Sequence, residues 1–480
     1  MPREGISQQS HIREFIFILM LKMSLPTGEH LVVGHFWAGV DVASHCRMES
    51  DFIGSTLTNI MIVVERIFRN LSARQLNTCS RVCKVWRDQA KREKERRQYF
   101  KWNCFLVDHA ASVGGDNKSW WQSVTNFILE SPIEPKCLLI FCSHSLWAML
   151  TEDKPEGQEE NEVQISAAEL FGPYLPKDCN FHIVLTDGIV GTDANMKTLE
   201  LDREEYDEAL SLIMFGETFG VKFVPFSLTH QECVSLKKYW SEANARIPRC
   251  MQPLLNKEIK MINLYCPMNG IDQEIGYSLF RIFKWPLVAG GYVNEKHVRD
   301  SHGNFFSSVL DRSCVVSGLA ICGANVKVAS VLIRSQDIAE VERNVQTLTE
   351  HKFPLHRSFG LMYACVGRGS HVYGKQNVES SIFRKYFPTT PLLGFFGNGE
   401  VGCKFPPVDP LFVGDPELRS RIQSSKTKIS SSGNRSARMS EKELMRQLEE
   451  RRQQQEAYKM KHPPKILHAY TTVMCLVSLP

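Results

Sequence analysis

Apolar positions along the chain follow two regimes. Between residues 52 and 98 they recur at steps of three and four. Ile60, Val64, Ile67, Phe68 and Leu71 make one helical stripe, and Leu76, Cys79, Val82, Cys83 and Trp86 a second. Ser72, between them, is the expected N-cap of the later helix, because its hydroxyl can accept from a first-turn N–H that lacks an intrahelical partner. KREKERR (91–97) continues as a solvated, helix-favouring stretch. The pattern predicts three short helices, too few for a catalytic domain. A unit of that size is marginal alone, and its apolar faces are covered either by the rest of the chain or by a partner protein.

From about residue 100 the pattern changes to short apolar runs bounded by turn residues, alternating with amphipathic stretches. CLLIFCSH (137–144) is followed by FHIVLTDGIVG (181–191), MINLYCPMNG (261–270) by WPLVAGGYVN (285–294), and GLMYACVGRG (360–369) by PLLGFFGNGEVG (391–402). In the last two pairs about fifteen to twenty residues intervene, enough for a helical crossover between parallel strands. Each first strand carries a cysteine near its end (Cys142, Cys266, Cys365), and each second strand runs into a glycine-bearing turn. CVVSGLAICG (314–323) and VKVASVLIR (326–334) read as a β-hairpin, which makes the sheet mixed. The fold class expected is α/β (α+β), with strand–helix–strand repeats behind a helical N-terminal unit.

Residues 1–50 show no sustained period and read as an irregular tail. FIFILMLKM (15–23) is short of the roughly 20 apolar residues that span a bilayer, and no small-residue cleavage site follows it, so neither a membrane span nor a secretory signal is expected. Residues 405–464 are a polar, charged insertion, flexible in KTKISSSGNRSARMS and helical but solvated in SEKELMRQLEERRQQQEAYKMK. HAYTTVMCLVSLP (468–480) is the final strand, completing a sheet begun earlier.

Composition narrows the function classes. A net charge of +4 over 480 residues is near balance and gives no basic footprint for nucleic acid. The 15 cysteines are scattered singly, the usage of a reducing, intracellular compartment.

Three chemical candidates follow. Gly397, Gly399 and Gly402 match G-x-G-x-x-G, but Pro406 and Pro407 deny that loop the helix whose N-terminus would hold a pyrophosphate, and Glu400 disfavours an anion. Cys365 stands at a strand end with Arg368 and His371 near in sequence, where a cation would favour the thiolate. Against that, free cysteines are commonly buried packing residues, and no third, orienting group is identifiable. Cys79 and Cys83 lie one helical turn apart, but a structural metal takes four ligands and both share the apolar stripe with Trp86. No metal and no cofactor are expected.

VVERIFRNLSARQLNTCSRVCKVWRD (63–88) resembles an F-box through Ile67, Phe68, Leu71, Leu76, Val82, Cys83 and Trp86, with STLTNIM standing where a Leu-Pro is usual. GLMYACVGRG, FRKYFPTTPLLGFFGNGEVGC and HAYTTVMCLVSL are similar to the FIST domain. The resemblance implies an F-box over 52–98, a FIST N-terminal part over 99–255, and a FIST C-terminal part over 256–404 plus 465–480. It implies a substrate-recognition subunit of a Skp–cullin–F-box ubiquitin ligase, in cytoplasm and nucleus, bringing target proteins to ubiquitination and proteasomal degradation. Its partners would be the Skp adaptor, docked on those seven F-box residues, the cullin, and protein substrates, with no nucleic acid and no membrane. Such a subunit has no catalytic residue and acts by proximity. Cys365, Arg368, Asn398 and Glu400 are the candidates for substrate or ligand contact. Two alternatives stand beside it. One is a FIST module sensing an amino acid or metabolite near Cys365, Gly399 and Glu400; the other is a cysteine hydrolase using Cys365.

Overall fold

A computed structural model describes residues 61–97, 99–107, 117–151, 166–202, 208–242, 247–267, 273–300, 304–307, 314–407 and 461–480, with isolated positions between 446 and 460. The expectations for residues 1–50, for Ile60 and for most of 405–464 lie outside these. The chain divides into two compact units, 1–96 and 97–480.

In the first unit, α1 (Met61–Arg69), α2 (Ala73–Cys79) and α3 (Lys84–Arg96) enclose a small core of Val64, Phe68, Leu71, Leu76, Cys79, Trp86 and Ala90. Ser72 forms a full capping box with Gln75 at the start of α2. Phe68 and Trp86 meet edge to face, ring centres 5.4 Å apart. The second stripe is not one helix. Bonds from Arg81 N to Thr78 O and Val82 N to Cys79 O tighten the chain into a turn after α2. The sulfur of Cys83 then accepts from Trp86 N at 3.5 Å, capping α3. Val82, expected on the buried face, stands in that turn and is exposed.

Among its described residues the second unit holds three mixed sheets of six strands. β1 (Phe100–Leu106), β2 (Cys137–Ser143), β3 (Asn180–Thr186), the short arm β4 (Gly188–Thr192) and β5 (Thr198–Leu201), and β6 (Ala209–Phe215) form one repeat in the chain. β7 (Lys222–Thr229), β8 (Ile259–Cys266), β9 (Leu287–Tyr292), β10 (Glu295–Arg299), β11 (Phe305–Ser307) and β12 (Cys314–Cys322) form the next. β13 (Lys327–Ile333), β14 (Ser358–Cys365), β15 (Leu392–Gly397), β16 (Glu400–Val401), β17 (Leu467–His468) and β18 (Thr472–Ser478) form the third. Each repeat has the same plan: edge strand, helix, first parallel strand, helix, second parallel strand, two-stranded arm, returning antiparallel strand. The three parallel pairs, β2–β3, β8–β9 and β14–β15, are the strand–helix–strand repeats expected from the sequence.

The arms are exchanged. β4–β5 joins the sheet of the third repeat, β10–β11 that of the first, and β16–β17 that of the second. The division expected at 255/256 falls between β7 and β8, inside the second repeat. β12 and β13 are not a hairpin. β12 pairs with β7 and β8, β13 pairs with β18, and the turn from Gly323 to Val326 carries the chain from one sheet to the next. The last strand, β18, lies between β13 and β14 and completes its sheet as expected. Arg446 and Glu450, in the stretch expected to be a solvated helix, form an exposed i,i+4 ion pair at 2.6 Å.

The inner faces of all three sheets share one core, which includes Phe141, Tyr265, Tyr363, Phe215 and Phe359. Outer faces pack separately. α4 (Asn117–Leu129), α5 (His144–Thr151) and α6 (Ala167–Phe171) cover the first sheet; α7 (His230–Ser241) and α8 (Gln273–Phe283) the second; α9 (Ile338–Gln346) and α11 (Val378–Tyr386), flanking the short α10 (Ser370–Tyr373), the third. Burial on both faces is why the central strands read as unbroken apolar runs.

Candidate functional site

Glycine fixes the register between repeats. Gly290 faces Leu264 across β8–β9 and Gly394 faces Met362 across β14–β15, at φ of +142° and +156°. A Cβ on either would land on the carbonyl oxygen of the residue opposite, so the parallel strands approach as only glycine allows. Aligned on these positions, Tyr265 corresponds to Tyr363, and Phe141 of the first repeat to both. The three rings meet at nearly equal separations: 6.4 Å for Phe141–Tyr265, 6.5 Å for Phe141–Tyr363 and 6.3 Å for Tyr265–Tyr363. They mark a pseudo-threefold axis, closed in the core by aromatic side chains. Tyr363 Oη donates to Asn263 Oδ1 at 2.9 Å, so this closure is hydrogen-bonded as well as packed. The same alignment matches Cys142 and Cys266 to Ala364. Cys365 is one residue further on, so the cysteine of the third repeat is not the counterpart of the other two.

Four residues beyond the register point, at the carboxyl ends of the parallel strands, the three repeats place Asp187, Asn294 and Asn398. Asn294 Nδ2 donates to Asp187 Oδ1 at 2.8 Å and Asn398 Nδ2 to Asp187 Oδ2 at 3.0 Å. One carboxylate thus ties the three turns from which the arms depart. Asn398 and Asn294 are exposed, and Asp187 is half-buried. Asn398 was legible as a turn residue; its partners were not, since nothing local links it to Asp187.

Two residues further on, the three arms carry Ile189, Lys296 and Glu400, all buried. Lys296 Nζ donates to Val315 O at 3.0 Å, just inside β12. Glu400 Oε2 accepts from Thr471 N at 3.1 Å and Thr471 Oγ1 at 2.5 Å, just before β18. Each charged side chain thus fastens its arm to the start of a returning strand. Burial pushes the Glu400 carboxyl up to about 7, against the pull of the Thr471 donors. The Cys365 thiol is a further hydrogen-bonding neighbour of this carboxyl.

Cys365 lies beside Glu400. Burial raises its thiol, and the Glu400 charge raises it further. Of the two readings weighed from the sequence, the buried packing cysteine agrees with this and the thiolate favoured by Arg368 does not. That guanidinium is committed elsewhere. Arg368 is 1% exposed, pairs with Glu379 at 2.5 Å and donates to Ser335 O at 3.0 Å and Tyr470 O at 3.3 Å. Tyr373 Oη also donates to Glu379, at 2.6 Å. Arg368 therefore pins the loop after β14 to α11 and presents nothing outward. Of the four residues expected to contact substrate or ligand, Cys365 and Glu400 come together, Arg368 is enclosed, and Asn398 belongs to the axial triad.

The seven F-box positions divide in the same manner. Phe68, Leu71, Leu76 and Trp86 are the core of their own unit, and Ile67 and Cys83 are half-buried. Val82 is 39% exposed, and with it stand Val85 at 38% and Met61 at 43%, two residues the sequence stripe did not single out. Gln89, one turn on from Val85, donates to Met61 Sδ at 3.6 Å and sets Met61 beside α3.

The F-box-like family matches residues 63–100 and the FIST C domain family residues 293–403. The chain is 27% identical over 379 residues to F-box only protein 22 of Homo sapiens and to that of Pongo abelii, across 76% of this chain and 90% of each relative. The resemblance drawn from the sequence holds in both its parts. Among solved structures, the cyanuric acid hydrolase from A. caulinodans is 10% identical over 64% of this chain and 96% of that one, with a TM-score of 0.27, too low to carry an argument.

Proposed function

We propose that this chain, which carries an F-box-like region and a FIST C domain and is similar to F-box only protein 22, is the substrate-recognition subunit of a Skp–cullin–F-box ubiquitin ligase in cytoplasm and nucleus. The observation that carries the proposal is the apolar surface of the helical unit. Its core is filled by its own side chains, yet Met61 on α1, Val82 in the turn before α3 and Val85 on α3 remain exposed. Apolar residues exposed together on a unit whose core is already packed are what a partner's groove would cover. The Skp adaptor is that partner, with the cullin reached through it. The FIST region holds target proteins. It acts by proximity, raising the local concentration of target lysines near the conjugating machinery.

Cysteine hydrolysis loses its support in the geometry, since Cys365 is a raised thiol without an engaged cation. The small-ligand reading retains one observation, the buried Glu400 carboxyl set beside the Cys365 thiol. Thermal shift with free amino acids would show a rise abolished by Glu400→Gln if that carboxyl holds a ligand.

The adaptor test is capture of purified Skp adaptor by the full chain. Val82→Asp with Val85→Asp should abolish capture and leave helix content unchanged. Retention of the adaptor by that variant, or failure of the wild type to capture it, refutes the assignment.

A further inference from the structure

The three repeats also have equivalent edges. β1, β7 and β13 each begin a repeat and each lie at the border of a sheet. Across the returning strands, Trp102 pairs with Ile213, Pro225 with Leu319 and Ser330 with Cys475, so Trp102, Pro225 and Ser330 are counterparts. At Ser330 the edge is occupied. Phe405, in the extended chain leaving β16, exchanges two main-chain bonds with it: Ser330 N to Phe405 O at 2.8 Å, and Phe405 N to Ser330 O at 3.0 Å. This chain therefore already lays an extended segment, antiparallel, on one of its three edges.

At Pro225 the corresponding edge opens onto a cleft of about 730 Å³, walled on one side by β7 and on the other by Val298, Asp300 and Asn304 of the second arm. Proline has no N–H to give to β12, so the Pro225–Leu319 pair is not hydrogen-bonded and Phe223, Pro225 and Ser227 direct their main-chain groups into the cleft. The bond from Asn180 Nδ2 to Phe223 O at 2.9 Å, reaching in from that side, fits this alternation. Two polar atoms in the lining are buried without a partner: Ser227 Oγ and Asn180 Oδ1. Phe219, between the lining residues Thr218 and Val221, is 98% exposed, and Leu255, between Pro253 and Lys257, is 37% exposed. Charges of both signs line the cleft, Lys136 pairing with Asp178 at 2.8 Å and Lys222 with Glu217 at 3.3 Å, with Glu232, Lys257 and Asp300 beside them.

We propose that the edge of β7 takes an extended peptide segment of a partner protein, added antiparallel beside Pro225 and Ser227, beyond the Phe223 carbonyl that Asn180 already holds, and anchored by an apolar side chain against Phe219. The second edge then holds from outside what the third edge holds from within the chain. Main-chain bonds supply the affinity and the anchor supplies the choice of sequence. Pro225 leaves one rung of the added ladder short of a donor. It limits affinity and keeps a second copy of this chain from zipping along the same edge. The proposal rests on the substrate-receptor assignment only in identifying the segment as part of a target protein; strand addition at β7 does not depend on the adaptor.

A phage-displayed library of random twelve-residue peptides, selected on the full chain, supplies the probe, and fluorescence anisotropy of the enriched peptides gives the readout. Binding should weaken at least tenfold in Phe219→Asp. It should strengthen several-fold in Pro225→Val, which adds the missing donor, one hydrogen bond being worth about 1 kcal/mol. The amide of Ser227 should gain protection from exchange when peptide is bound. Val82→Asp with Val85→Asp should leave peptide binding intact, and Phe219→Asp should leave adaptor capture intact, so the two assignments fail separately. No enriched peptide, enriched peptides indifferent to both β7 variants, or an anisotropy change tracking self-association of the chain would overturn the proposal.

Discussion

Asn398 donates to Asp187 across 3.0 Å, and the two residues occupy the same turn of two different repeats. With Asn294 on the other carboxylate oxygen, three segments far apart in the chain are held at one point on the pseudo-threefold axis. Asp187→Ala should cost only about 1 kcal/mol in denaturant unfolding, because water replaces both bonds at an accessible site. The local effect should be larger. The Tyr292 amide, bonded to Gly399 O at 2.9 Å, should exchange faster in the variant, and unchanged exchange there would mean that the triad does not hold the turns.

The Arg368–Glu379 pair is enclosed, each side chain 1% exposed. Removing one partner strands a buried charge, so Arg368→Met or Glu379→Leu alone should lose about 3–5 kcal/mol, whereas the double substitution should recover most of it. Purely additive losses in a double-mutant cycle would show that the pair is not coupled.

Glu400 and Glu200 are both buried carboxyls pushed up to about 7 from the ordinary 4.5, first by burial and, for Glu200, also by the Glu379 charge. The folded chain holds protons that the unfolded chain has released. The resulting stabilisation is full below about 4.5 and fades as pH rises through about 7. Glu400→Gln with Glu200→Gln should therefore raise the melting temperature at pH 8 and leave it unchanged near pH 4.5. An equal shift at both values would assign the effect to packing rather than to ionisation.

Cys365 should react with iodoacetamide at pH 7 more slowly than a free thiol, because burial and the Glu400 charge both oppose its ionisation. Glu400→Gln removes the second cause and should quicken labelling. A rate above that of free cysteine in the wild type would reopen the nucleophile reading.

Much of this was legible in the sequence because local chemistry fixes it. The capping box at Ser72 follows from residue types and spacing. The three parallel pairs follow from apolar runs separated by a crossover, although Gly290 and Gly394, read from the sequence as parts of turns, lie inside their strands. The misreadings have physical causes. Val82 keeps helical spacing with Leu76 and Trp86, but spacing cannot register a tightened turn between helices. β12 and β13 resemble a hairpin because they are consecutive and rich in β-branched residues, yet each finds its partners in a different sheet. Arms as short as Glu400–Val401 carry too few residues to declare which sheet they enter. The triad on Asp187 and the clamp on Arg368 join positions far apart in sequence, where composition and period say nothing.

The exchanged arms also order events during synthesis. Thr192 of the first arm bonds Leu392 of β15, 200 residues downstream, so the first repeat emerges from the ribosome with a hairpin whose sheet does not yet exist. The third sheet closes only when β18, its last strand in the chain, slides between β13 and β14. Without that one strand β13 and β14 lose their shared partner and the third sheet is split. The first sheet has all its strands once β11 is made, whereas the third waits for β18, so the sheets become secure in the order of their repeats.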